Sequence, residues 1–133
     1  MLYRVIDRDD LPSLVAAFME RYEVIAPVKR GAGYVFSPVG SFDEICIDYP
    51  STIASPKKYL LPPTETLFEF DAVENAVTDY TEEVRPRVLF GVHACDINGL
   101  MNLGSVFADP RYPDPYFQAH RGATLIVGVG CMP

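Results

Sequence analysis

The sequence has no apolar stretch long enough to cross a membrane: its longest, Val88–Cys95 and Thr124–Met132, fall well short of the roughly 20 residues that a spanning helix requires. Its start, MLYRVIDRDD, lacks the basic segment followed by an apolar one that marks a secretory leader. Together these absences predict a cytoplasmic protein without a membrane span. Positive charge is scarce as well, since 11 Lys and Arg stand against 18 Asp and Glu, for a net charge of -7. Such a balance repels a phosphate backbone instead of displacing its counterions, which excludes nucleic acid as a natural partner. Cysteine is sparse and not paired by spacing. Cys46, Cys95 and Cys131 are odd in number and far apart, which fits reduced thiols better than a disulfide framework. Three are also too few for a four-cysteine iron–sulfur cluster, so any such cluster would need ligands from elsewhere.

Several nucleotide and catalytic motifs are missing. No Gly-x-Gly-x-x-Gly follows a strand, because GVGCMP stops after two glycines, so a dinucleotide site has little support. There is neither a Gly-x-Ser-x-Gly elbow nor a Walker loop, and no residue is assigned a catalytic role. No internal repeat or low-complexity tract appears. What is present is an ordinary folded composition: 49% hydrophobic and 22% charged residues, with eight Tyr and eight Phe, which excludes disorder and fibrous repeats. At 133 residues the chain fits a single domain that buries roughly two-thirds of its unfolded surface.

Along the chain, Tyr3–Asp7 reads as a short strand. Asp9 or Asp10 can then cap a helix whose apolar face is Leu11, Leu14, Val15, Phe18 and Tyr22. Two runs, Val24–Val28 and Tyr34–Val39, flank KRGAG, whose glycines suit a hairpin turn. Phe42–Ile47 reads as another strand, with Cys46 among apolar neighbours as a core thiol. From Asp48 the prolines interrupt any period and predict an extended surface segment, in which Lys57 and Lys58 read as solvated or as meeting an acidic partner or a phosphate. Leu67–Phe70 reads as a strand and Ala72–Glu83 as a helix. In the last third, Val88–Val92 and Thr124–Val129 are compact apolar strands around a helical repeat of Ile97, Leu100, Met101, Gly104 and Phe107. DPRYPDPYFQAHR, residues 109–121, reads as a loop with one helical turn. The expected fold of residues 1–133 is therefore one α/β domain. Its mixed sheet has an antiparallel N-terminal part and a C-terminal parallel βαβ unit, with helices packed on the sheet.

Ligands of open α/β sheets gather beyond the carboxyl ends of parallel strands. Cys95 and Cys131 each follow such a strand, so both thiols are expected on one edge of the sheet. With Asp96 as N-cap of the next helix, Cys95 lies beside free backbone N–H groups and the positive end of the helix dipole, which favours negative charge. A thiolate is the form of cysteine that binds metal or attacks. Cysteine is equally a small filler at strand ends, and His93 and His120 read as hydrogen-bonded histidines or, for His93, as a ligand or proton carrier. A strand followed by only Cys131, Met132 and Pro133 predicts a fragment of a longer protein.

Three segments resemble a known family: SPKKYLLPPTETLF at 55–68, VLFGVHACDINGL at 88–100 and DPYFQAHRGATLIVGVGC at 114–131. In order and spacing they are similar to the N-terminal region of the iron–sulfur beta subunits of soluble nickel–iron hydrogenases and sulfhydrogenases, and of the corresponding iron–sulfur component of anaerobic sulfite reductase. The resemblance implies an accessory, non-catalytic electron-transfer part of an oxidoreductase complex, working between flavin-bearing and hydrogenase or reductase subunits. It implies that Cys95 and Cys131 join cysteines further along to bind a [4Fe–4S] cluster in the full-length protein, with none bound by the isolated chain. The ferredoxin-like segment of that family is absent from these residues. Two other readings stand beside this one. In the first, a docking domain grips a partner redox subunit through its Pro-rich segment and RYPDPYF. In the second, a nucleotide or flavin binds at the same sheet edge.

Overall fold

The computed structural model describes residues 4–79 and 84–130. Its main body is a four-stranded sheet of β1 (Glu23–Arg30), β2 (Gly33–Pro38), β5 (Arg87–His93) and β6 (Thr124–Val129), in the order β2-β1-β5-β6. β1 and β2 are antiparallel, whereas β1 with β5 and β5 with β6 are parallel. A separate antiparallel pair, β3 (Phe68–Asp71) and β4 (Ala76–Asp79), lies between them in sequence. Helices α1 (Leu11–Met19), α2 (Ala94–Phe107) and α3 (Pro115–Gly122) complete the fold. The mixed α/β architecture is thus the one expected from the sequence.

Side-chain parity separates the two faces of the sheet. Val24, Ala26, Val88 and Phe90 face α1 and pack with Val15, while Leu11, Phe18 and Phe42 close that layer. Ile25, Phe36, Leu89 and Val92 face the other way, against Tyr49, Tyr59 and Ile97. A third cluster of Leu60, Leu100 and Phe117 fills the space where α2 and α3 meet the segment around residue 60. Full burial of one such Leu or Val contributes about 1.5–3 kcal/mol. The β1–β2 turn needs Gly31, whose φ of +58° is the left-handed conformation of a tight two-residue hairpin.

A bulge explains why Val92 shares a face with Leu89. Phe90 pairs with Val127 but Val92 pairs with Gly128, so Gly91 is an extra residue in β5, at φ +81°. In a regular strand Val92, two residues on, would lie on the Phe90 side. On the other flank of β5, pairing with β1 runs only from Glu23↔Arg87 to Ile25↔Leu89. Pro27 has no N–H to donate to the ladder, and its carbonyl instead accepts from the Cys46 N–H at 2.8 Å. The two strands therefore part near their carboxyl ends. Tyr49 occupies that region and donates its hydroxyl to the Gly91 carbonyl at 2.9 Å.

Several local expectations are corrected. Tyr3 lies outside the described residues, and Arg4–Asp7 form no strand; a 3₁₀ turn, Arg8–Asp10, leads into α1. Asp10 stands at the N-cap of α1, but its side chain makes no capping bond, because its own backbone is already helical. Phe42–Ile47 is not a strand. Ser41 and Glu44 form a capping box that closes a 3₁₀ turn over Phe42–Glu44, and Cys46 follows half-buried. Ala72–Asp79 is not helical either: the Asp71 carboxylate accepts from the Val73 and Glu74 N–H groups, and Asn75 at φ +50° finishes a turn into β4. The rest of that expected helix, residues 80–83, lies outside the described residues. The loop at 109–121 holds more helix than expected. Asp114 caps α3 by accepting from the Phe117 N–H at 2.9 Å, with Pro115 at the first helical position.

Candidate functional site

Because β5 and β6 are parallel neighbours, their carboxyl ends share one rim, and His93 pairs with Val129 there. β5 passes directly into α2, with His93 as the residue before the helix, in extended conformation at φ -69° and ψ 152°. Cys95 falls in the first turn of α2 and is exposed, a free thiol at the end of the helix where backbone N–H groups lack intrahelical partners. Cys131, the second cysteine expected at this rim, lies outside the described residues. The chain is described as far as Gly130, one residue past the Val129 that pairs with His93.

Asp96 is not the N-cap expected for it; that position belongs to His93. Asp96 lies inside the first turn, and its carboxylate accepts the Ser55 hydroxyl at 2.7 Å. Ser55 is itself the N-cap of a 3₁₀ turn over Pro56–Tyr59, and its bond to Asp96 ties this turn to the start of α2. Lys57 runs along the same helix: a Cβ on Gly99 would come within 2.8 Å of the Lys57 Cε. The stretch expected to be an extended surface segment is therefore partly anchored, with Pro56 and Leu60 fully buried. Lys58 lies over the Tyr59 ring at 5.0 Å. The Tyr59 hydroxyl donates to the Phe36 carbonyl. Burial first, then the field of Glu23, pushes that phenol above its ordinary pKa, against the opposing field of Arg87.

His93 is stacked on Tyr49, ring centroids 4.1 Å apart and planes 3° from parallel. The two rings help line a cleft of about 390 Å³ with Ile47, Asp48, Pro50, Val129 and Gly130. A larger cleft, about 580 Å³, lies toward α1, where Cys46 forms part of the wall and Arg8 pairs with Asp48 at 2.7 Å. Cys95 lines neither cleft. His120 is buried on α3 and its Nε2 is paired with Glu65, which makes it a member of a structural pair far along the chain. The RYPDPYF loop is largely occupied within the molecule. Phe117 is buried, Tyr116 donates to the Leu67 carbonyl at 3.1 Å, and Tyr112 alone of its three rings is strongly exposed.

Sequence reasoning missed Tyr49 and Ser55. Tyr49 sits in a Pro-rich stretch without a period, so no pattern marked it. Ser55 was open to detection, since Ser followed by Pro is the signature of an N-cap and first helical residue.

Fold and rim together define an α/β domain that, among the described residues, presents the exposed thiol of Cys95 where two parallel strands finish. Among the described residues, no three His, Cys, Asp or Glu are grouped closely enough to hold a metal ion. Among the described residues no helix is long and apolar enough to cross a membrane. Compared with known proteins, the chain is 37% identical over all 133 residues to sulfhydrogenase 2 subunit beta of Pyrococcus furiosus, and it spans 39% of that protein's length. The resemblance first seen in three segments thus runs along the whole chain, which is related to the beta subunit of a sulfhydrogenase. No protein-family model and no solved structure matches the chain.

Proposed function

We propose that this chain is the accessory α/β domain of an iron–sulfur electron-transfer subunit in a hydrogenase-like oxidoreductase complex, and that Cys95 and Cys131 are ligands of a [4Fe–4S] cluster completed by cysteines further along the polypeptide. The observation that carries the reading is the position of Cys95: exposed, in the first turn of α2, on the rim shared by β5 and β6. Thiolate ligation requires loss of the thiol proton, and a helix start stabilises the resulting negative charge. The Ser55–Asp96 bond would hold the ligand-bearing turn in place from the side. The relationship to a sulfhydrogenase beta chain supports the same direction, with other redox subunits as electron donors and acceptors.

The proposed role of this domain is non-catalytic, since the cluster would carry electrons and the chain's own residues would hold and shield it. The test is iron and labile sulfide content, with the electron paramagnetic resonance spectrum, of the natural-length protein carrying Cys95→Ser or Cys131→Ser. Each variant should lose the iron, sulfide and signal of the cluster that Cys95 and Cys131 would hold. If both retain full content, the ligand assignment is wrong. The isolated 133-residue chain, reconstituted with iron and sulfide, should hold no intact cluster.

A further inference from the structure

The hairpin formed by β3 and β4 differs from everything else in the molecule. Among the described residues its strands pair only with each other, and every residue in both is exposed. An isolated two-stranded hairpin is marginally stable in water, and this one also keeps apolar side chains uncovered. The pairing Phe70↔Val77 and Phe68↔Asp79 places Phe68, Phe70 and Val77 on one face, with Asp79 beside Phe68 at its edge. Their exposures are 57%, 57% and 64%, and Val73 at the turn is 95% exposed. Two aromatic rings and a valine aligned on one side of a ribbon form a contiguous strip, unlike the single apolar residues scattered over any surface.

Charge narrows what can cover this strip. Between Phe68 and Asp79 the chain carries Glu69, Asp71, Glu74 and Asp79 and no Lys, Arg or His. The negative field extends to the root of the hairpin, where Tyr116 bonds to the Leu67 carbonyl. There the phenol of Tyr116 is pushed above its ordinary pKa, first by desolvation and then by Asp79, Asp114 and Glu65. An apolar strip on a ribbon whose charges are all negative suits a partner of opposite sign. A second copy of this chain would set the same carboxylates against these, in a molecule already at -7.

We propose that the β3–β4 hairpin is a docking surface for a different protein subunit that presents an apolar strip flanked by lysine or arginine. Phe68, Phe70 and Val77 fill the strip, and the partner's cations are drawn by the summed field of Glu69, Asp71, Glu74 and Asp79, of which Glu69 and Asp71 lie on the opposite face of the ribbon and act through the field alone. The Ser55–Asp96 rim and Cys95 take no part, so the inference stands apart from the cluster assignment.

The test places a benzophenone amino acid at position 70 of the natural polypeptide, purifies its assembled complex through a tag on this polypeptide, irradiates it and maps the linked peptide by mass spectrometry. The expected product joins residue 70 to a peptide of another subunit that contains Lys or Arg beside apolar residues. A link to a second copy, a link to a later part of the same polypeptide, or no link in an intact complex would each overturn the proposal. In a second arm, Glu69→Lys with Glu74→Lys should lower retention of the linked subunit about tenfold, corresponding to roughly 1.4 kcal/mol. Glu69→Gln with Glu74→Gln should lower it less. Equal retention by the charge-reversed protein and the parent would also overturn the proposal, and cluster content should be the same in all of these variants.

Discussion

β5 and β3 are both strands that carry large hydrophobic residues, and they end in opposite environments. In β5, Val88–Val92 are buried on both faces, Val88 and Phe90 against the α1 layer and Leu89 and Val92 against Tyr49 and α2. In β3, Phe68 and Phe70 alternate with Glu69 and Asp71 and stay more than half exposed. The difference lies in the residues between the apolar ones. A strand with no charge between its hydrophobic residues can be covered from both sides, whereas alternating carboxylates hold one face in water and leave the other for whatever reaches it. The first arrangement builds a core and the second builds a surface.

The sharpest way to break this contrast is to cut into β5. Leu89 is fully buried in the middle of the sheet, and Leu89→Ala should cost about 2–5 kcal/mol, because the packed layers around it cannot collapse into the space. Urea unfolding followed by circular dichroism would measure it, and a loss below about 1 kcal/mol would show that β5 is not the core strand described here.

The bulge gives a smaller effect. Gly91 holds φ +81°, and a Cβ there would lie 3.3 Å from the Pro27 Cδ, so Gly91→Ala should cost roughly 1–3 kcal/mol in backbone strain. The same change would disturb the carbonyl that accepts the Tyr49 hydroxyl, and with it the stack of Tyr49 on His93 at the rim. A melting temperature unchanged from the parent would mean that residue 91 is not held in the left-handed conformation of the bulge.

What was legible in the sequence follows the same division. The β1–β2 hairpin, the βαβ unit and the helical repeat of α2 were readable because dense apolar periodicity leaves few alternatives, and because adjacent parallel strands must end on one rim. The middle of the chain was harder. Ala72–Asp79 offered Val73, Ala76 and Val77 at helical spacing, but Asp71 and Asn75 decided the matter through one side-chain turn and one left-handed residue. Phe42–Glu44 was likewise settled by a Ser41–Glu44 box and not by its apolar residues. At the candidate site the place of Cys95 beside a helix start was readable, but its surroundings were not. Asp96 is held by Ser55 from 41 residues away, and Tyr49 reaches His93 across a comparable separation. Such contacts depend on where a loop without periodicity returns to the sheet, and no local pattern encodes that return.

The smallest expected effect tests the exposed side of the comparison. Val77→Thr replaces a methyl with a hydroxyl at nearly constant volume, in a residue that is 64% exposed and faces Phe70 across the hairpin. At a buried position the unpaired hydroxyl would cost about 1–3 kcal/mol, whereas in water it finds partners at once and threonine suits a strand as well as valine. The change in unfolding free energy of the isolated chain should therefore stay within about 0.5 kcal/mol. A loss several times larger would mean that the strip is already covered within the chain, and the contrast between the two sheets would then be one of degree.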